Sequence, residues 1–235
     1  MKSSTPLQPI KVWGGSLGPN PFKISIILAE LNLPVDPIPI EFGELKKPAY
    51  EAINPNGRLP AIEDPNTGLT LWESGAIIEY LIETYDPTHK LSFPAGSHEA
   101  HQARQWLHYQ VSGQGPYYGQ AVWFTRYHPE RVPGAVERYV NEIKRVSKVL
   151  DTWLATREWL VGDKMSYTDL AFVPWQNGAR TMLAGEGYDQ SQYPHLAEWL
   201  ERMNQRATVK ELTARQDAVL AEKLKSMAAS QKQQS

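Results

Sequence analysis

The sequence predicts two joined domains of different class. The first, over 8–88, is a small α/β domain with a mixed four-stranded sheet, and the second, over 96–225, is all-helical. Three observations lead there. Over residues 10–85, short apolar runs and helical stretches follow one another in the order β-α-β-α-β-β-α. Residues 86–97 (DPTHKLSFPAGS) are rich in Pro, Gly and Ser and read as a linker. Beyond them the pattern is helical throughout.

Residues 1–9 (MKSSTPLQP) are polar and Pro-containing and read as a loose arm. Ile10 to Trp13 is a short strand, and GGSLGPNP after it has loop chemistry. A helix follows over Phe22 to Leu33, with Asn20 as N-cap and Pro21 at the first helical position. Pro37 to Phe42 alternates as a strand, and its prolines place it near an edge. A short helix over Lys47 to Ile53 leads to strands at Leu59–Glu63 and Leu69–Trp72, joined by the turn DPNTG. Glu73 to Tyr85 is a helix with Ile77, Ile78, Leu81 and Ile82 on one side. A connecting helix permits a parallel β-α-β unit first, and the tight turn then forces an antiparallel hairpin.

In the second half, residues 98–124 predict a long aromatic-rich helix interrupted around Gly113, Gln114, Gly115 and Pro116. Over 133–157, Val136, Val140, Ile143, Val146, Leu150, Trp153 and Leu154 repeat at three- and four-residue steps. Further helical segments cover 168–180, 195–204 and 208–224, and the tail KSMAASQKQQS reads as frayed. Ser166 and Asp169 have the spacing of a reciprocal helix cap. A catalytic Ser/Asp pair there would need a His close by, and the segment has none.

Composition excludes several function classes. With 41% hydrophobic and 21% charged residues, net charge −2 and pI near 6.3, the chain is an ordinary globular protein without a nucleic-acid signature. No apolar run reaches a membrane span and the first residues lack a signal-peptide core, so a cytoplasmic location is expected. Cysteine is absent, which removes disulfides, Cys-ligated zinc and every Cys nucleophile. Thiol chemistry must therefore use a thiol that a ligand brings. The six His residues show no H-E-x-x-H pair, and His98 and His101, at i and i+3 without a carboxylate partner, read as a solvated helix face, so no metal is expected.

Residues 54–81 (NPNGRLPAIEDPNTGLTLWESGAIIEYL) carry the most chemistry. Pro60 stands before a strand, where a cis bond would hold the preceding backbone exposed in a bend. Such a bend can pair with an extended peptide. Glu73 and Ser74 then open a helix, so orphan N–H groups, a hydroxyl and a carboxylate come together. These can receive both charges of an α-amino acid.

GPNPFK, NPNGRLP, WESGAI and VGDKMSYTDLAFVPW, in this order over roughly 10–210, resemble the cytosolic glutathione transferases. The resemblance is strongest to the fungal branch related to the yeast nitrogen-catabolite regulator and to the bacterial Nu class. It implies a thioredoxin-like first domain, a helical second domain, glutathione as co-substrate and a homodimer. It places the γ-glutamyl end of glutathione at Glu73 and Ser74, and pairs the backbone of Leu59 with the cysteinyl part. Pro60 is the cis-proline and Arg58 adjoins the site. Where the branch has a His for the glycyl carboxylate this chain has Leu45, so adjacent Lys46 or Lys47 substitutes.

The same resemblance puts Asn20 of GPNPFK at the sulfur, with Ser16 as the alternative. An Asn amide is no base, but it can donate to a thiolate, and a helix start adds partial positive charge. A free thiol has a pKa of about 8.5, and lowering it by about two units takes about 2.7 kcal/mol of selective thiolate stabilisation. Tyr117, Tyr118, Trp123, Phe124 and Trp175 are candidates for an apolar second-substrate pocket between the domains. Three activities follow. The first is glutathione transfer to electrophiles. The second is glutathione-dependent disulfide or peroxide reduction on the same site. The third is a non-catalytic regulatory role like that of the yeast regulator.

Overall fold

A computed structural model describes residues 6–15, 18–183 and 185–232, with side chains described through residue 219. The first half is a four-stranded sheet of order β2-β1-β3-β4, made of β1 (Ile10–Trp13), β2 (Val35–Ile38), β3 (Ala61–Asp64) and β4 (Leu69–Trp72). β1 and β2 run parallel, while β3 is antiparallel to both β1 and β4. The parallel unit is closed by α1 (Pro19–Glu30), and α2 (Pro48–Glu51) and α3 (Ser74–Tyr85) complete this half. The second half contains α4 (His98–Tyr109), α5 (Gly115–Val122), α6 (Pro133–Leu154), α7 (Tyr167–Met182), α8 (Pro194–Asn204) and α9 (Ala207–Lys232).

Several elements differ from the sequence expectation: β3 starts at Ala61 and not Leu59, and α9 runs on to Lys232 where the sequence predicts a frayed tail. α1 begins at Pro19, with Gly18 rather than Asn20 as its cap, because a second proline upstream can occupy the first helical position at no loss of a hydrogen bond. Asn20 therefore lies within the first helical turn. β2 is Val35–Ile38, shifted toward the N-terminus, and Phe42–Glu44 form a 3₁₀ turn instead of continuing the strand. The strand is at the sheet edge, where Pro37 costs no ladder bond on its open side. The long helix is not broken at Gly113–Pro116. Gln110–Gln114 form one π-helical turn that joins α4 to α5, and a second π turn follows over Trp123–Tyr127.

One hydrophobic core runs from Ile10 and Val12 of the sheet through α1 and α3 to α6, α7 and α8. On α3, Ile77, Ile78, Leu81 and Ile82 are buried, and on α6 so are Val136, Val140, Ile143, Val146, Leu150 and Leu154. α1 is enclosed on nearly every side: Phe22, Ile24, Ile26, Ile27 and Leu28 are buried, and so are Lys23 and Glu30. A helix apolar all round belongs between two layers, and α1 packs against α3 on one side and α7 on the other. Its C-terminal Glu30 ties the halves together, accepting from Arg206 Nε at 2.9 Å and Nη2 at 3.0 Å. Burial pushes the Glu30 carboxyl up, but Arg206, Thr208 and Lys90 outweigh it and hold the group below its usual range.

Ser166 and Asp169 cap α7 reciprocally. The Asp169 carboxylate is fully buried and accepts from Leu160 N, Ser166 N and Trp199 Nε1, each at 3.0 Å. It anchors a loop and α8 to the head of α7, a structural role. Asp169→Ala leaves these three donors unpaired and should cost about 3 kcal/mol or more in urea denaturation.

Candidate functional site

The sheet register brings four polar segments to one end. Trp13, the last residue of β1, stands opposite Ala61, the first of β3, and Ala61 stands opposite Trp72, the last of β4. Trp13 also pairs with Ile38, where β2 ends. The head of α1, the bend at Arg58–Pro60, the Glu73–Ser74 step and the stretch leading to Lys46 and Lys47 all enter or leave the sheet there.

The bend is tightly built. Leu59–Pro60 is cis, and the ladder starts only at Ala61, so the Leu59 peptide lies outside it. Asn54 organises the loop: its Nδ2 donates to Arg58 O at 2.6 Å and its Oδ1 accepts from Asn56 N at 2.9 Å. Tyr50 OH donates to the same Arg58 carbonyl at 2.8 Å. A second small core of Leu45, Tyr50 and Ala61, joined by Trp13, Ile40, Ile53 and Leu59, supports the bend from below. The Leu59 side chain covers Gly14, where a Cβ would come within 2.7 Å of it.

The two lysines are placed differently. Lys46 Nζ donates to Asn56 O at 2.6 Å, against the bend. Lys47 Nζ pairs with Glu44 Oε1 at 2.6 Å on an exposed surface. Arg58 is exposed. Glu73 caps α3 with φ 69°, a left-handed backbone that a side-chain-bearing residue adopts at a cost of about 1–3 kcal/mol. Asn56 Nδ2 reaches its Oε1 at 3.5 Å. Ser74 is buried at the first helical position, where backbone N–H groups lack intrahelical acceptors. Gly75 meets Val111 of the first π turn so closely that a Cβ would lie 3.2 Å away.

Asn20 sits in the first turn of α1, and its Oδ1 accepts from Trp175 Nε1 at 3.0 Å. An indole N–H only donates, so it must bind the amide oxygen, and the Asn20 NH₂ is the end left for another acceptor. Trp175 fits over Gly115 and Gly119 of α5: Cβ atoms there would stand 3.6 and 3.4 Å from its ring. Ser16, the alternative at this position, lies outside the described residues.

The expected aromatic wall divides. Tyr118 is core, with 1% exposure, and its OH donates to Gln176 Oε1 at 2.5 Å. It stands edge-on behind Trp175, which is the member in contact with Asn20. Phe124 stacks between His128 and Tyr139, and Tyr117 lies beside Tyr139. Trp123 is exposed and lies tilted beside Tyr127.

Lys23 escaped the sequence analysis. Its signal was a lone cation in the apolar run FKISIILAEL. It is fully enclosed and donates to Gln110 Oε1 at 2.6 Å. Burial pushes its ammonium down to about 7, against the upward pull of Glu73. Among the described residues, no cluster of three or more His, Asp or Glu side chains is arranged to hold a metal, and no helix is long and apolar enough to cross a membrane.

The site thus presents a peptide bend outside its ladder, a carboxylate, helix-terminal N–H groups, a lysine and an oriented amide donor. The sequence model described as Glutathione S-transferase, N-terminal domain matches residues 8–83. That of the Glutathione S-transferase, C-terminal domain matches 116–207. The chain belongs to the glutathione S-transferase family. Glutathione S-transferase-like protein gedE of Aspergillus terreus is 56% identical over 88% of this chain and 95% of its own. Glutathione S-transferase-like protein tpcF of Aspergillus fumigatus is 54% identical over 86% and 94%. Among solved structures, glutathione transferase URE2P6 of Phanerochaete chrysosporium, in complex with oxidized glutathione, is 42% identical. It aligns over 90% of this chain and 98% of its own with TM-score 0.85. The first half of this transferase-family chain accordingly has the thioredoxin-like fold.

Gly57 gives a direct test of the bend. It has φ +57°, and a Cβ there would lie 2.6 Å from Leu45 O and 2.8 Å from Lys46 Nζ. Gly57→Ala should lower stability by about 1–2 kcal/mol in chemical denaturation.

Proposed function

We propose that this protein is a glutathione transferase that holds glutathione as its thiolate and transfers it to an apolar, aromatic electrophile. The observation that supports the reading is the Trp175–Asn20 hydrogen bond, which occupies the amide oxygen and leaves the NH₂ for another acceptor, at the end of the sheet where the other polar segments converge. Glutathione would lie with its γ-glutamyl ammonium at Glu73 and the neighbouring carboxylate at Ser74 and the head of α3. Its cysteinyl backbone would pair with Leu59 beside Pro60, and Arg58 would adjoin the site. Its glycyl carboxylate would meet Lys46, since Lys47 is engaged with Glu44. Asn20 Nδ2 then donates to the sulfur, and the positive end of α1 adds to the effect.

The step that follows is simple. The sulfur lone pair attacks the electrophilic carbon, an S–C bond forms, and the leaving group departs with its electron pair. Binding both reactants in one cleft supplies the rest of the acceleration. The aromatic side chains Tyr117 and Trp123, with Trp175, would offer apolar contact to the second substrate, and Phe124, stacked on His128 and Tyr139, would support them. The working unit in this reading is a homodimer, and the location is cytoplasmic.

In Asn20→Ala, the pH midpoint of thiolate absorbance from bound glutathione should rise by about 1–2 units. Turnover of chlorodinitrobenzene should fall about 10- to 100-fold in kcat/KM. An unshifted midpoint contradicts the role given to Asn20. Turnover of hydroxyethyl disulfide without conjugation would instead identify a reductase. Calorimetry should show Lys46→Ala weakening glutathione binding about tenfold, with Lys47→Ala close to wild type.

A further inference from the structure

Lys23 is a charge that this mechanism leaves unused, in a place where charge is costly. It has no exposed surface, and its Nζ donates to Gln110 Oε1 at 2.6 Å. An ammonium carries three donors, so a single amide oxygen compensates it poorly. The acceptor is nonetheless carefully fixed. Gln110 Nε2 donates to Gln114 Oε1 at 3.0 Å, and Gln114 Nε2 donates to Phe172 O at 3.2 Å and Gln176 Oε1 at 3.3 Å. The amides run in one direction, so Gln110 can offer Lys23 only its oxygen.

Position connects this lysine to the sulfur site. Asn20 and Lys23 are three residues apart in α1 and share one face of it. Trp175 of α7 meets the first, and Gln110 of the first π turn meets the second. The carboxylate acting on Lys23 is Glu73, at the head of α3. Glu30, at the far end of α1, is paired with Arg206 and Lys90.

We propose that Lys23 is the buried positive charge that compensates the sulfur anion of bound glutathione, acting through its field without touching the substrate. The proposal rests on the glutathione reading above. Protons balance: the thiol gives up one and leaves its electron pair on sulfur, and the amine of Lys23 takes one up as its ammonium. With Lys23 held near about 7 by burial, both of its forms are within reach at neutral pH. By linkage, the thiolate favours the ammonium as much as the ammonium favours the thiolate.

The stability consequence has a definite sign. An unfolded lysine keeps its proton up to about pH 10.4, whereas the folded one loses it near 7. Between these values the unfolded state binds more protons, so stability rises with pH. Below about 7 the buried ammonium subtracts its full amount from stability. The charged form of Lys23 thus works against folding.

Lys23→Met in the full chain tests this, keeping an unbranched side chain one atom shorter while removing its charge. Calorimetry with S-methylglutathione, which cannot form a thiolate, should give an affinity within about twofold of wild type. The thiolate midpoint of bound glutathione should rise by about one unit, and the melting temperature at pH 7 should rise. An unmoved midpoint in a variant that still binds S-methylglutathione overturns the proposal. Failure of wild type to bind S-methylglutathione overturns the glutathione reading itself, and the proposal with it. Should Lys23→Met not fold, Gln110→Leu removes the acceptor, favours the neutral amine and must raise the midpoint too. No shift there is equally contrary.

Discussion

Helix α1 has little face left for water, and three of its polar side chains are answered from the other half of the chain. Asn20 is met by Trp175, Lys23 by Gln110, and Glu30 by Arg206. Apolar burial of Phe22, Ile24, Ile26, Ile27 and Leu28 supplies the stabilisation, at about 25 cal/mol per Å² of apolar surface removed from water. The polar pairs fix where the two halves sit on one another. That constraint makes a side chain on one half settle the orientation of a catalytic candidate on the other.

The register of the sheet does a complementary job. Because β1, β2 and β4 end where β3 begins, the segments that follow or precede them are forced to one place. The bend before β3 is held by Asn54, Tyr50 and a small separate core, not by the main one. The left-handed backbone at Glu73 shows strain tolerated at the same end of the sheet. Such costs are met by the large common core and fall where ligand atoms are expected.

Much of this was legible in the sequence. The alternation in the first half, the turn DPNTG and the regular repeat over α6 specified both classes of structure. Pro60 and the step at Glu73–Ser74 announced the bend and the helix head. What misled was local chemistry with two solutions. Pro19 and Pro21 both suit a helix start, and the helix begins at the first of them. Glycine and proline at 113–116 read as a break, yet a π turn ending at Gln114 passes directly into α5 at Gly115. Tyr118 and Tyr117 are adjacent and alike in sequence, and only the core decides which is enclosed. Lys23 was invisible as a site residue because the amide that holds it, Gln110, lies 87 residues away.

The most direct measurement is a crystal structure of this protein with reduced glutathione. The account predicts the sulfur within hydrogen-bonding distance of Asn20 Nδ2 while Trp175 Nε1 remains on Oδ1, with the cysteinyl backbone paired to Leu59. A sulfur held by another group, or an Asn20 amide turned away from Trp175, would contradict it.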